Sequence, residues 1–172
     1  IDTAGMRRRG SIKPGIERYS VLRTINSAHR SNITLVVLDG TEKAVSQDTH
    51  IAGMVWGSYK GVILVVNKWD LVSSNNGLEK ELYIQQVRSR FQFMPYAPIM
   101  FTSALKRQGI DDLLSIVVEV YAERRRRVFA SDLYNAVMDA IAMHPPPYNQ
   151  NKPFKVHSIR QTGGNPMEIA FD

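Results

Sequence analysis

The stretch "VILVVNKWD", residues 62–70, decides the fold. Its first part is continuously apolar and rich in β-branched residues. Such a run, without alternation, predicts a strand covered on both faces, as in a parallel sheet. The strand ends at Asn67, and Asn67 to Asp70 follow the pattern N-K-x-D. A carboxylate two residues beyond a lysine can accept both the N1–H and the exocyclic amine of guanine. Adenine has no matching donor pair and would leave a desolvated carboxylate unpaired. Hydrogen bonds to charged groups contribute about 1.5–3 kcal/mol each, enough for strong base selection. The stem of Lys68 can cover the ring, and Asn67 can tie the loop together.

Two further apolar runs flank this one, "TLVVLD" at 34–39 and "PIMFTS" at 98–103. Helix-length patterns separate them. "SQDTHIAGMVWGSY" has Ser46 as a candidate N-cap and Ile51, Met54 and Val55 as a stripe. "LEKELYIQQVRSRFQF" repeats Leu82, Val87 and Phe91 at helical intervals. "GIDDLLSIVVEVYAERRRR" repeats Ile110, Leu113, Leu114, Val117 and Tyr121. Alternating strands and helices imply right-handed crossovers and a doubly wound α/β layer. Arg124 to Arg127 close the last helix, where cations complement its dipole. They read as a solvated helix terminus and domain linker at least as readily as a nucleic-acid patch.

A second unit is expected from Val128 onward. "SDLYNAVMDAIAMH" reads as a helix with Ser131 as N-cap and Leu133, Val137 and Ile141 on one side, and "HPPPY" stops it. "FKVHSIRQ" and "MEIAFD" read as strands joined by the turn "TGGNP". The domain reading is therefore residues 1–127 followed by residues 128–172.

Composition narrows the chemistry. The 172 residues are 44% hydrophobic, enough to bury a real core, and the mean hydropathy is −0.23. No apolar run approaches the ~18 residues that cross a bilayer, so no membrane contact is expected. With no cysteine, disulfides, thiolate metal sites and cysteine nucleophiles are excluded. His29, His50, His144 and His157 lack ligand-like spacing and read as structural or surface residues. The net charge is +6, of which residues 1–30 carry seven Lys/Arg against two acids. Positive charge beside a loop motif favours a phosphate-bearing partner.

In a parallel α/β sheet, ligands bind beyond the carboxyl ends of the strands. Asp2, Asp39, Asn67 and Ser103 all fall at such ends, and three of them belong to motifs. "DTAG", Asp2 to Gly5, can hold Mg²⁺ through water at the aspartate, while the glycine lets an amide reach a terminal phosphate. "TSAL", residues 102–105, lets backbone amides approach a base carbonyl. Asp39 has no motif of its own.

Asp2–Gly5, Asn67–Asp70 and Ser103–Leu105 resemble the third, fourth and fifth loop motifs of translation-factor-type GTPases. "DTAGMRRRGSIKPGIERYSVLRT", "VVNKWDLV", "FMPYAPIMFTSA" and "AIAMHPPPYN" resemble the Der (EngA) family more closely. Those are bacterial GTPases with two tandem GTPase domains and a KH-like domain, acting in assembly of the large ribosomal subunit. The resemblance implies a partial P-loop GTPase domain of α/β class followed by a partial α+β KH-like domain. It places Asp2 near Mg²⁺ and Gly5 near the γ-phosphate. Asn67, Lys68 and Asp70 would read guanine, with Ser103, Ala104 and Leu105 closing over it. GTP and GDP would be substrate and product.

Met6 stands where related GTPases place a water-orienting glutamine, and a thioether makes no strong hydrogen bond to water. Hydrolysis would then need another polar group or a monovalent cation, and the resemblance points to K⁺. Arg7, Arg8, Arg9 and Lys13 fall in the switch that follows, where they suit contact with rRNA or with the preceding GTPase domain of the same chain. No G-x-x-x-x-G-K-[ST] loop is present among the 172 residues. The P-loop and the first switch are expected upstream, with the P-loop strand against "TLVVLD"; without it that strand is an apolar edge. The function implied is a cytoplasmic GTPase of ribosome assembly, catalytic only as the intact protein. The alternative is a catalytically inactive module that binds RNA or a ribosomal protein.

Overall fold

The computed structural model describes residues 26–42, 46–72, 77–146, 156–164 and 167–171. It divides into two compact units, the division falling between Tyr121 and Ala122.

In the first unit helical residues 26–30 lead into β1 (Ile33–Asp39). The chain then forms α1 (Ser46–Trp56), β2 (Gly61–Asn67), a single 3₁₀ turn (Trp69–Leu71), α2 (Gly77–Arg90), β3 (Ile99–Phe101) and α3 (Ile110–Glu123). The sheet order is β1-β2-β3, with both pairings parallel. β2 is central, and its first six residues, Gly61 to Val66, are all buried. That is what continuous apolarity demands of a strand covered on both sides.

The two faces carry separate cores. Val36, Leu38, Val62, Leu64 and Val66 pack with Ala52 and Val55 of α1, Val87 of α2, and Phe91, Met94 and Ala97 beyond α2. Ile63 and Val65 point the other way, toward Leu113 of α3, with Ile116, Val117 and Val120 alongside. Helices on both faces of a parallel sheet make this the α/β architecture expected.

Individual helix positions differ from expectation. Leu82 is 50% exposed, because α2 turns Tyr83 and Val87 inward and leaves Leu82 one position off the stripe. On α3, Leu114 and Tyr121 are 59% and 37% exposed, while Leu113, Ile116, Val117 and Val120 form the inner face. α1 stops at Trp56, three residues early, where the chain turns through Tyr59 at φ 55°. β3 is cut to three residues because Ser103 leaves the ladder to pair with Gln108. The side chains of Ser46 and Ile51 lie outside the described set.

The second unit contains α4 (Ala130–Met143) and an antiparallel pair, β4 (Ile159–Gly164) and β5 (Met167–Phe171). The helix begins two residues earlier than an N-cap at Ser131 would have it. Phe129, extended at φ −65° and ψ 144°, stands at its N-cap without a side-chain bond, and Ser131 lies inside the first turn. Leu133 is the buried anchor of α4. Gly163 and Gly164, expected in the hairpin turn, extend β4 instead, with a register shift between Gln161 and Gly163. The Gln161 amide reaches back to the chain before α4. Its Oε1 accepts the Val128 amide at 3.0 Å and its Nε2 donates to the Arg126 carbonyl at 3.2 Å.

Candidate functional site

Asp39 and Asn67 end neighbouring parallel strands in register, so their side chains emerge at the same edge of the sheet. Ser103 follows β3 two residues past its last paired position, and the Thr102 amide still bonds to the Val66 carbonyl at 2.8 Å. The topology thus brings the N-K-x-D and T-S-A-L loops together at the carboxyl ends of β2 and β3.

Asn67 joins the two loops. Its Oδ1 accepts the Ala104 backbone N–H at 3.0 Å and the Thr102 hydroxyl at 3.4 Å. A second tie runs from the Trp69 amide to the Thr102 carbonyl at 3.0 Å. Between them Lys68 takes the left-handed conformation, φ 61° and ψ 28°, which turns the chain sharply out of the strand. Trp69, the variable residue of the motif, packs edge-on against Phe101 at 4.4 Å and Tyr83 at 5.3 Å between ring centroids. The loop is therefore fastened from below by an aromatic cluster and from the side by Asn67.

The Asp70 side chain is 4% exposed, with Lys106 Nζ 3.8 Å from its Oδ2. Ser103 is buried and its backbone pairs with Gln108 in both directions, at 3.0 and 3.1 Å. Its hydroxyl accepts the Lys106 amide at 3.1 Å, so Ser103 shapes the turn that presents Ala104 and Leu105. Leu105, 88% exposed, offers an apolar surface at the rim. Gly109 closes the turn at φ 69°, where a β-carbon would lie 2.4 Å from the Phe101 carbonyl oxygen. Only glycine meets both demands.

Lys68 reaches away from Asp70, and its Nζ bonds Asp39 Oδ2 at 2.6 Å. That bond, and then the one from Thr41, holds the Asp39 carboxyl below its ordinary range, while the same Asp39 bond holds the Lys68 ammonium above its own.

Asp2, Gly5, Met6, Arg7, Arg8, Arg9 and Lys13 lie outside the described residues. So do the Mg²⁺ reading of Asp2 and the switch reading of the arginines. Among the described residues no group of three or more His, Asp or Glu side chains could hold a metal ion. The described part of the site thus gathers one nearly buried carboxylate, Asp70, one lysine stem, Lys68, and a turn of small residues tied to Asn67 and Trp69. Trp69 and Thr102 lie inside the N-K-x-D and T-S-A-L motifs without a role of their own in the sequence reading, and Gln108 lies outside every motif. A tryptophan at the variable position of a loop motif was the available signal for the first.

The family model for the elongation factor Tu GTP-binding domain matches residues 13–123. The chain belongs to this family of GTP-binding domains. It is similar over most of its length to proteins named GTPase Der. That of Chloroflexus aggregans is 46% identical over 146 residues, covering 85% of this chain and 32% of that protein. That of Thermomicrobium roseum is 40% identical over 172 residues, covering 99% of this chain and 37% of that protein. A third, from a Thermoanaerobacter species, is 43% identical over 166 residues, covering 96% and 38%. The chain thus spans roughly a third of the length of the curated relatives it matches. The likeness to Der GTPases carried by the loop motifs extends through nearly the whole sequence.

Among solved structures, a probable GTP-binding protein engB superposes with a TM-score of 0.54 at 17% identity, covering 70% of this chain and 74% of that one. Translation elongation factor SelB from Methanococcus maripaludis, in complex with a GTP analogue, gives a TM-score of 0.54 at 16% identity, covering 65% and 24%. At these identities the two share the fold. Among the described residues no helix is long and apolar enough to cross a membrane.

Proposed function

We propose that the full-length protein carrying this chain binds GTP, hydrolyses it to GDP and phosphate, and uses its nucleotide state to time contact with the assembling large ribosomal subunit. The observation that carries the reading is the bond from the Ala104 amide to Asn67 Oδ1, which makes one pocket of two loops and leaves the Asp70 carboxylate beside it. A pocket with a nearly buried acceptor pair suits the N1–H and 2-amino group of guanine and penalises adenine, which would leave the carboxylate unpaired. The family membership and the Der relatives support the GTPase part. The ribosomal part comes from the resemblance alone.

On this reading Mg²⁺, reached through Asp2, would supply charge neutralisation at the phosphates, and K⁺ would take the place of a water-orienting side chain at Met6. Arg7, Arg8, Arg9 and Lys13 would meet rRNA or the preceding GTPase domain, and the second unit would be the start of a KH-like domain. The site of action would be the cytoplasm. The deciding experiment is calorimetric titration of the full-length protein with GDP, IDP and ADP, followed by sedimentation with large ribosomal subunits in each nucleotide state. GDP binding well above IDP and ADP, with co-sedimentation that depends on the nucleotide, is the expected result. Equal affinity for GDP and ADP would remove the guanine reading, and nucleotide-independent sedimentation would remove the timing.

A further inference from the structure

Asp39 is the strand-end carboxylate that no loop motif claims, yet both its oxygens are engaged. Oδ1 accepts both the Thr41 amide, at 3.0 Å, and the Thr41 hydroxyl, at 2.6 Å. Oδ2 accepts from Lys68 Nζ at 2.6 Å. The carboxylate is thus oriented by its own turn before it meets the lysine. A fixed acceptor holds a flexible donor, and the two side chains are 30% and 53% exposed. Lys68 otherwise has a long rotatable stem on a surface loop, and freezing such a stem costs conformational entropy. The backbone beneath it is already set by the left-handed turn at Lys68 and the Trp69–Thr102 bond.

Gly40 stands between the two elements with its amide on the Asn67 carbonyl at 2.8 Å. A β-carbon there would meet that same oxygen at 2.8 Å. The turn after β1 and the loop after β2 are therefore in close backbone contact, which keeps Asp39 within reach of the Lys68 stem.

We propose that Asp39 is a positioning residue of the base pocket: held by Thr41, it anchors the Lys68 ammonium toward β1 so that the lysine stem stands ready to cover one face of the bound base. The inference rests on the guanine reading above and adds to it a residue outside the loop motifs. It makes a distinction that simple damage to the fold does not. Asp70 would meet the polar edge of the base, where guanine and hypoxanthine differ by the 2-amino group. The Lys68 stem would meet the ring face, which the two bases share. Loss of Asp39 must therefore weaken GDP and IDP by one common factor and leave their ratio unchanged.

The test uses the full-length protein labelled with 5-fluorotryptophan, the Trp69 resonance being assigned through Trp69→Phe and followed as GDP or IDP is added. Asp39→Ala is expected to weaken both nucleotides about fivefold to tenfold, Asp39→Asn, which keeps the shape of the site, about threefold or more, and Thr41→Val about twofold. The double variant Asp39→Ala/Lys68→Ala is expected to bind no more weakly than Lys68→Ala alone, since Asp39 acts through the lysine. GDP affinity within twofold of wild type in both Asp39 variants would overturn the proposal. So would a loss confined to GDP, or losses that multiply in the double variant. A wild-type protein that binds GDP no better than ADP would instead remove the guanine reading itself, and this proposal with it.

Discussion

Asn67 Oδ1 lies 3.0 Å from the Ala104 backbone nitrogen, so a side chain at the end of β2 holds the loop that leaves β3. The two residues are 37 positions apart, and only the parallel pairing of β2 with β3 brings them together. The same oxygen takes the Thr102 hydroxyl, which makes Asn67 the hub of the pocket wall.

Asn67→Ala is therefore expected to separate the loops without disturbing the sheet. The loss of one neutral bond costs about 1 kcal/mol, and an Ala104 amide left without a partner adds to it. Nucleotide affinity at this site should fall about tenfold, and hydrogen exchange at the Ala104 amide should speed up while exchange within β2 stays slow. Unchanged exchange at Ala104 would show that Asn67 does not hold the loop.

Much of this arrangement was legible in the sequence because strand ends in a parallel sheet are also where loops meet ligands. "VILVVN" marked its own strand within a residue, since a run covered on both faces has nothing polar to confuse it. The helices were less legible. Leu82 and Leu114 are apolar and sit near the right spacing, but one position of drift is about 100° of rotation and carries a side chain from core to surface. Ser103 read as a pocket residue, whereas its backbone pairs with Gln108 across a turn that no local pattern announced. Asp39 could be placed at a strand end but not paired, because its partner is decided by register between strands.

The Asp39–Lys68 pair should leave its mark at the ends of the pH scale. The bond from Lys68, and then those from Thr41, lower the Asp39 carboxyl from its ordinary 3.8. The Asp39 bond raises Lys68 from its ordinary 10.5. A lowered acid contributes stability above its unfolded value and loses it as pH falls through the folded one, here below 3.8. A raised base contributes fully below its unfolded value and loses the contribution as pH rises through the folded one, here above 10.5. The pair should thus add no pH dependence between about 5 and 9. Carbon-13 titration of the Asp39 carboxyl checks this, and a midpoint at or above 3.8 would contradict the bond.

Gly109 should tolerate no side chain. At φ 69° an alanine is strained, and its β-carbon would stand 2.4 Å from the Phe101 carbonyl oxygen, so the turn must open. Strain of this kind costs about 1–3 kcal/mol. Gly109→Ala should lower the thermal midpoint by several degrees and weaken nucleotide binding, because the turn from Ser103 to Gln108 carries Ala104. A midpoint within one degree of wild type would mean that the turn relaxes freely.

Among the described residues β1 is the outer strand of the sheet, with Leu35 41% and Val37 59% exposed. An apolar edge strand invites pairing with a second copy. In the isolated 172-residue chain, Val37→Lys should lower self-association, measured by sedimentation velocity, at little cost to the thermal midpoint, since Val37 contributes little to the core. Self-association unchanged by the lysine would place the sticky surface elsewhere.

The sharpest prediction concerns Asp70. Its carboxylate is nearly buried and has Lys106 at 3.8 Å, a separation that leaves its acceptor lone pairs free for a stronger partner. On the guanine reading, the N1–H and the 2-amino group are the two donors that would meet those oxygens. In Asp70→Asn one acceptor oxygen becomes an NH₂ donor, which opposes the 2-amino group of guanine but matches the 2-oxo group of xanthine. The loss of a bond to a charged group is worth about 1.5–3 kcal/mol, so GDP affinity should fall about 10- to 150-fold. XDP affinity should rise over the same range, and the order of preference should invert. Lys106 retains its charge in the variant, so a general collapse of the pocket would weaken XDP as well as GDP. Titration of the full-length variant with both nucleotides, read at Trp69, separates the two outcomes. A variant that still prefers GDP would mean that the base is read by some other group, and the N-K-x-D loop would lose its assigned role.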